Sequence, residues 1–109
     1  MVALATALVA GAFAASATAS AGSARPATHS ERAAIMRALA ANDANSSGVS
    51  GVYVSRSTPA LAVVCERTPE AGIQVYVFGH SHGAWRYLTS GYRGHAGNSA
   101  QRHLELACH

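Results

Sequence analysis

The stretch Gly72 to Gly91, GIQVYVFGHSHGAWRYLTSG, constrains the fold more than any other part of the chain. Ile73, Val75 and Val77 alternate with Gln74, Tyr76 and Phe78, and further on Trp85 and Tyr87 alternate with Arg86 and Leu88. Period-two alternation rich in β-branched and aromatic residues predicts two strands, Ile73–Phe78 and Ala84–Ser90. The Gly79-His80-Ser81-His82-Gly83 segment between them reads as a polar turn. A chain that doubles back here must build an antiparallel sheet.

Two further strands precede this pair. Val52–Arg56 is short and β-prone, and Ser57-Thr58-Pro59 ends it because proline cannot donate to a ladder. Leu61–Arg67 follows, with Leu61, Val63 and Cys65 on one face and Ala62 and Val64 on the other. Upstream, Thr28-His29-Ser30-Glu31 has the form of a capping box, and ERAAIMRALAA continues it with strong helix formers. Ile35, Met36 and Leu39 lie on one face of that helix, a narrow stripe that needs a sheet to cover it. Asn42–Gly51 is polar and contains glycine, so it reads as a linker. After Ser90 the Gly-rich GYRGHAGN has no periodicity. Asn98-Ser99-Ala100-Gln101 then resembles a second cap, with Leu104 and Leu106 anchoring a short helical tail. The expected fold class is α+β: one N-terminal helix packed on a four-stranded antiparallel meander sheet, with a short C-terminal helical tail.

Residues 1–21 have the composition of a signal peptide. Bulky apolar residues are confined to Val2 through Phe13, and Ala17-Thr18-Ala19 and Ala19-Ser20-Ala21 both satisfy the small-x-small cleavage rule. The apolar run is shorter than the ~20 residues a membrane span requires. The expectation is an exported, extracytoplasmic protein without stable membrane insertion after cleavage. Residues 22–27 read as a linker and 28–109 as a single small domain, a size at which a staple helps the core. Cys65 and Cys108 form an even pair, which in an exported protein reads as a disulfide. Two free thiols are the alternative, with Cys65 as a small buried residue of an apolar strand.

All eight basic residues are arginine, scattered singly, with a formal charge of +3. No basic run is interleaved with aromatics, so nucleic acid is not an expected partner.

Several residues could carry chemistry. Gly79-x-Ser81-x-Gly83 matches a nucleophile elbow, which makes Ser81 a candidate nucleophile if a helix follows it and a histidine and carboxylate reach it. The sequence after Gly83 is that of a strand, and Glu105 is the one acid downstream. His80-x-His82 could place two imidazoles together for zinc or copper, with His95 or His103 as a third ligand. A polar hairpin loop is the favoured reading over both, and no cofactor is implied. The aromatics Tyr53, Tyr76, Trp85, Tyr87 and Tyr92 are too many, and too polar at their tips, all to be core.

Val54-Ser55 followed by Thr58-Pro59-x-x-Ala62-x-Val64, then Gly83-x-Trp85-Arg86, then Leu104-x-Leu106-x-Cys108, resemble a group of small exported proteins of GC-rich bacteria whose function is unassigned. The resemblance spans most of the part that follows the expected signal peptide and implies export and a helix-plus-sheet fold. It implies no activity. In that group a bulky aromatic commonly stands where this chain has Leu61, and the last Cys usually pairs with one in the loop after the fourth strand. That loop has no Cys here. Together these observations predict a non-catalytic binding or interaction module for a protein or small-molecule partner, with metal binding through His80 and His82, or hydrolysis through Ser81, as alternatives.

Overall fold

A computed structural model describes residues 23–42, 48–70 and 72–109. The expected signal peptide and its cleavage points, residues 1–21, lie outside them. The described chain runs β1 (Ala24–Pro26), α1 (His29–Ala40), β2 (Val49–Ser55), β3 (Leu61–Thr68), β4 (Gly72–Ser81), β5 (Ala84–Tyr92) and α2 (Ser99–Glu105). All five strands join one antiparallel sheet in sequence order, so the fold is α+β.

The central strand explains the layering. Leu61 through Cys65 are all buried, because β3 is covered on both faces. On one face Ile35 and Leu39 of α1, one helical turn apart, pack onto Val52, Val54, Ala62, Val64 and Phe78. On the other, Leu104 and Cys108 from the α2 tail, with Ala96, pack onto Leu61, Val63, Cys65, Val75 and Val77. Fully burying one such aliphatic or aromatic side chain contributes about 1.5–3 kcal/mol. The Cys65–Cys108 disulfide forms, with Cα atoms 5.6 Å apart, and staples the tail to β3.

Both helices start as their sequences indicate. The Glu31 N–H donates to Thr28 Oγ1 at 3.2 Å while the Thr28 N–H donates to Glu31 Oε1 at 2.8 Å. In α2 the Gln101 N–H donates to Asn98 Oδ1 at 3.0 Å and the Asn98 N–H to Gln101 Oε1 at 2.8 Å.

The sheet has five strands where four were expected, and residues 24–26 of the expected linker supply the fifth. Ala24, Arg25 and Pro26 pair with Ser55, Val54 and Tyr53. Pro26 is tolerated because β1 lies at the sheet edge, where a missing N–H need not break a ladder. The ordered unit therefore reaches back past the expected domain start at Thr28. β2 begins at Val49, inside the expected linker, and a register shift between Val49 and Gly51 accommodates Ser50 as an extra residue.

A second irregularity shapes the β4–β5 hairpin. Val77 pairs with Thr89 but Phe78 pairs with Tyr87, leaving Leu88 as a bulged residue. Bulges re-aim side chains. Without this one the alternation would put Tyr87 and Trp85 on the α2 face. With it, Tyr87 lies edge-on to Phe78, centroids 6.0 Å apart, and Trp85 sits opposite His80 on the α1 face. Gly79 makes room for the displaced side chain, since a Cβ there would lie 3.1 Å from Leu88 Cδ1.

Candidate functional site

The His-Ser-His segment is a hairpin tip. β4 continues through Ser81, and His82 and Gly83 alone form the turn, with φ of 51° and 77°. Two positive φ values in a two-residue loop are the mark of a type I′ turn, whose twist matches that of the flanking strands. The following residues, Ala84–Tyr92, are strand, so the strand–turn–helix geometry of a nucleophile elbow does not form. Ser81 is exposed, and no imidazole hydrogen-bonds its hydroxyl among the described residues.

The histidines are dispersed. His80 packs its ring edge-on against Trp85, centroids 4.9 Å apart and planes at 64°. His82 stands exposed in the turn, whereas His95 follows β5 at the far end of the β4–β5 ribbon. His103, on α2, borders a separate small cavity of about 70 Å³ with Ser55, Ser57 and Thr58. Among the described residues no three His, Cys, Asp or Glu side chains are grouped so as to hold a metal ion.

What the hairpin does form is one wall of a groove. Its opposite wall is α1, and the space between them measures about 510 Å³. From α1 come Ser30, Glu31, Ala34, Arg37 and Ala38; from the hairpin come His80, Gly83, Ala84 and Trp85. The two alanines, one turn apart, leave the space that larger side chains would fill. Trp85 is half-buried, so part of its indole faces the opening.

The charges in this groove are unequal in availability. Arg25 Nη1 and Nη2 donate to Glu31 Oε1 and Oε2 at 2.7 and 2.8 Å, a bidentate pair. That hydrogen-bonded guanidinium, followed by the Thr28 N–H, holds the Glu31 carboxyl at about 2, well below its ordinary value. Arg37 makes no side-chain hydrogen bond or ion pair among the described residues and is exposed.

Away from the groove, one acid has a structural task. Glu105 is fully buried, and its Oε1 accepts the N–H groups of Gly94 at 2.8 Å and Ala96 at 3.1 Å. Its Oε2 is buried without a hydrogen-bond partner, and burial pushes its pKa up, opposed by those backbone donors. Arg93 completes the clasp by donating to the carbonyls of Cys108 and Leu106.

Sequence reasoning placed Trp85 among aromatics too many all to be core and His80 among metal candidates, but it identified neither the groove nor Arg37. The available signal was the pair of small residues, Ala34 and Ala38, on a helix expected to lie on the sheet. Comparison of the chain with protein-family models, with curated proteins and with solved structures gives no match.

Proposed function

We propose that this chain is a secreted, non-catalytic binding module that takes its ligand in the groove between α1 and the β4–β5 hairpin. The observation that carries this reading is the bulge at Leu88, which turns Trp85 toward α1 and beside His80, forming an aromatic wall opposite Ala34 and Ala38. The groove's volume of about 510 Å³ falls in the range of about 300–1,000 Å³ common to small-molecule sites, and its lining sets the polar Ser30, Glu31, Arg37 and His80 beside Ala34, Ala38, Ala84 and Trp85. Export is supported by the Val2–Phe13 apolar run with its small-residue cleavage motif, and by a disulfide of the kind that persists in oxidising compartments.

The test is a fragment screen on ¹⁵N-labelled, disulfide-bonded protein. Amide shifts are expected to cluster at residues 30–38 and 80–85. Hits that gather at the His103 cavity instead, or hits nowhere on the α1 face, would overturn the assignment. For export, the intact mass of protein recovered from the medium should correspond to loss of residues 1–19 or 1–21. An uncleaved secreted chain would refute it.

A further inference from the structure

We infer that the groove selects a small aromatic carboxylate, its ring against Trp85 and its anionic group on Arg37. This rests on the proposal that the groove is the binding site. Glu31 and Arg37 are six residues apart on α1, which sets them ~9 Å apart along the helix axis. The negative end is already occupied: both Glu31 oxygens are engaged by Arg25, and one of them also by the Thr28 N–H. A cationic ligand would therefore meet a neutralised carboxylate at one end and a bare guanidinium at the other. An anionic ligand meets its complement. Arg37 presents a planar fork suited to a carboxylate.

The distance between the charged ends leaves room for a ring. Ala34 and Ala38 project only methyl groups into the space, and facing them is Trp85, with the His80 ring edge-on beside it. Aromatic rings at such a surface adopt offset or edge-on contacts with the indole. An aliphatic anion would forgo that contact, and a neutral ring would forgo Arg37.

Trp85 is the one tryptophan in the chain, so a single indole N–H resonance reports on this wall. The experiment titrates the labelled, disulfide-bonded protein with 1-naphthoate, its neutral amide 1-naphthamide, and the cation 1-naphthylmethylammonium. 1-Naphthoate is expected to move the Trp85 indole resonance with the Ala34 and Ala38 amides, and to bind about tenfold or more tightly than the amide, as a charge-assisted bidentate contact warrants. Arg37→Gln should abolish that advantage, bringing 1-naphthoate affinity down to that of 1-naphthamide. Arg37→Lys, which keeps the charge and loses the fork, should retain part of it. Because Arg37 is exposed, both variants should keep the wild-type amide dispersion. Equal affinities for naphthoate and naphthamide would overturn the carboxylate inference and leave the groove assignment standing. No response at Trp85 to any probe at millimolar concentration would also overturn it, and the groove assignment would then fall only if the wider fragment set fails on the α1 face as well.

Discussion

Removing the Cys65–Cys108 disulfide should cost this fold a large share of its stability. The bridged residues are 43 apart in sequence, and on the chain-entropy relation a closed loop of that length stabilises by about 4 kcal/mol at 25 °C. Single domains unfold with only ~5–15 kcal/mol, and one this small belongs toward the lower end. The perturbation is the double substitution Cys65→Ala with Cys108→Ala, which leaves no thiol to mispair. Chemical reduction of the wild type is its companion, retaining both buried sulfur atoms. With a urea dependence of about 1–3 kcal/mol per molar, the unfolding midpoint should fall by roughly 1.5–4 M. The alanine variant should be the weaker of the two, since it also vacates volume at two fully packed positions. Hydrogen exchange should localise the loss, with α2 amides opening before those of β3 and β4. A reduced protein whose midpoint stays within ~0.5 M of the oxidised one would refute the reasoning. It would mean that the Glu105 and Arg93 clasps already hold the tail.

Gly83→Ala should destabilise by about 1–2 kcal/mol in urea, because φ is +77° there while nothing lies within 4 Å of an added Cβ, so the penalty is conformational alone; an unchanged midpoint would show that the turn relaxes. Glu31, with a folded value of about 2 against an ordinary 4.5, stabilises above its ordinary value, and that contribution is lost as pH falls through about 2. Glu31→Gln should therefore lack the wild type's loss of first-turn amide protection in acid, and an identical acid profile would count against the Arg25 pair. Glu105 has the opposite sign: its raised folded pKa gives a contribution present below the ordinary carboxyl range and lost as pH rises through the folded value. Glu105→Gln should flatten the decline of the urea midpoint as pH rises above the ordinary carboxyl range, and a decline as steep as the wild type's would refute the assignment.

Much of this architecture is local, and local features are legible in sequence. Thr28 with Glu31 and Asn98 with Gln101 identify both helix starts, since a capping box is closed by residues three apart. The Leu61–Arg67 run reads as strand from its short apolar stretch, Leu61 to Cys65, bounded by Pro59 and Pro69. What escaped depends on partners distant in the chain. Ala24–Pro26 has little strand propensity and becomes a strand because β2 offers an edge, with Ala27 N–H on Val52 O and Arg56 N–H on Ser23 O closing its two ends. Leu88 as a bulge has no sequence signature at all, because nothing in YLTS distinguishes the extra residue from its neighbours. The groove is illegible for the same reason: the bulge turns Trp85 toward Ala34 and Ala38, far upstream in the chain. Glu105 was visible only as a lone acid between two leucines, and its buried role depends on the loop at Gly94–Ala96 folding over it.

The two helices are secured to the sheet by different means, and the difference bears on which face can respond to a ligand. α2 is tied by a covalent bond, by the Glu105 carboxylate on two loop amides and by Arg93 on two tail carbonyls. α1 rests on Ile35 and Leu39, both fully buried, and on the Arg25–Glu31 pair at its first turn. Such a pair, part-exposed to solvent, contributes little. Apolar contact without directional ties permits small sliding of a helix over a sheet, whereas a bridged and hydrogen-bonded helix is held in one place. Local opening follows the same ranking, and binding elements are drawn from the less stable end of a fold. Ligand seated between Ala34, Ala38 and Trp85 should therefore raise the exchange protection of α1 amides and leave those of α2 unchanged. Equal protection gained by both helices would show that the sheet transmits binding as one rigid body, and that the groove owes its shape to the whole fold.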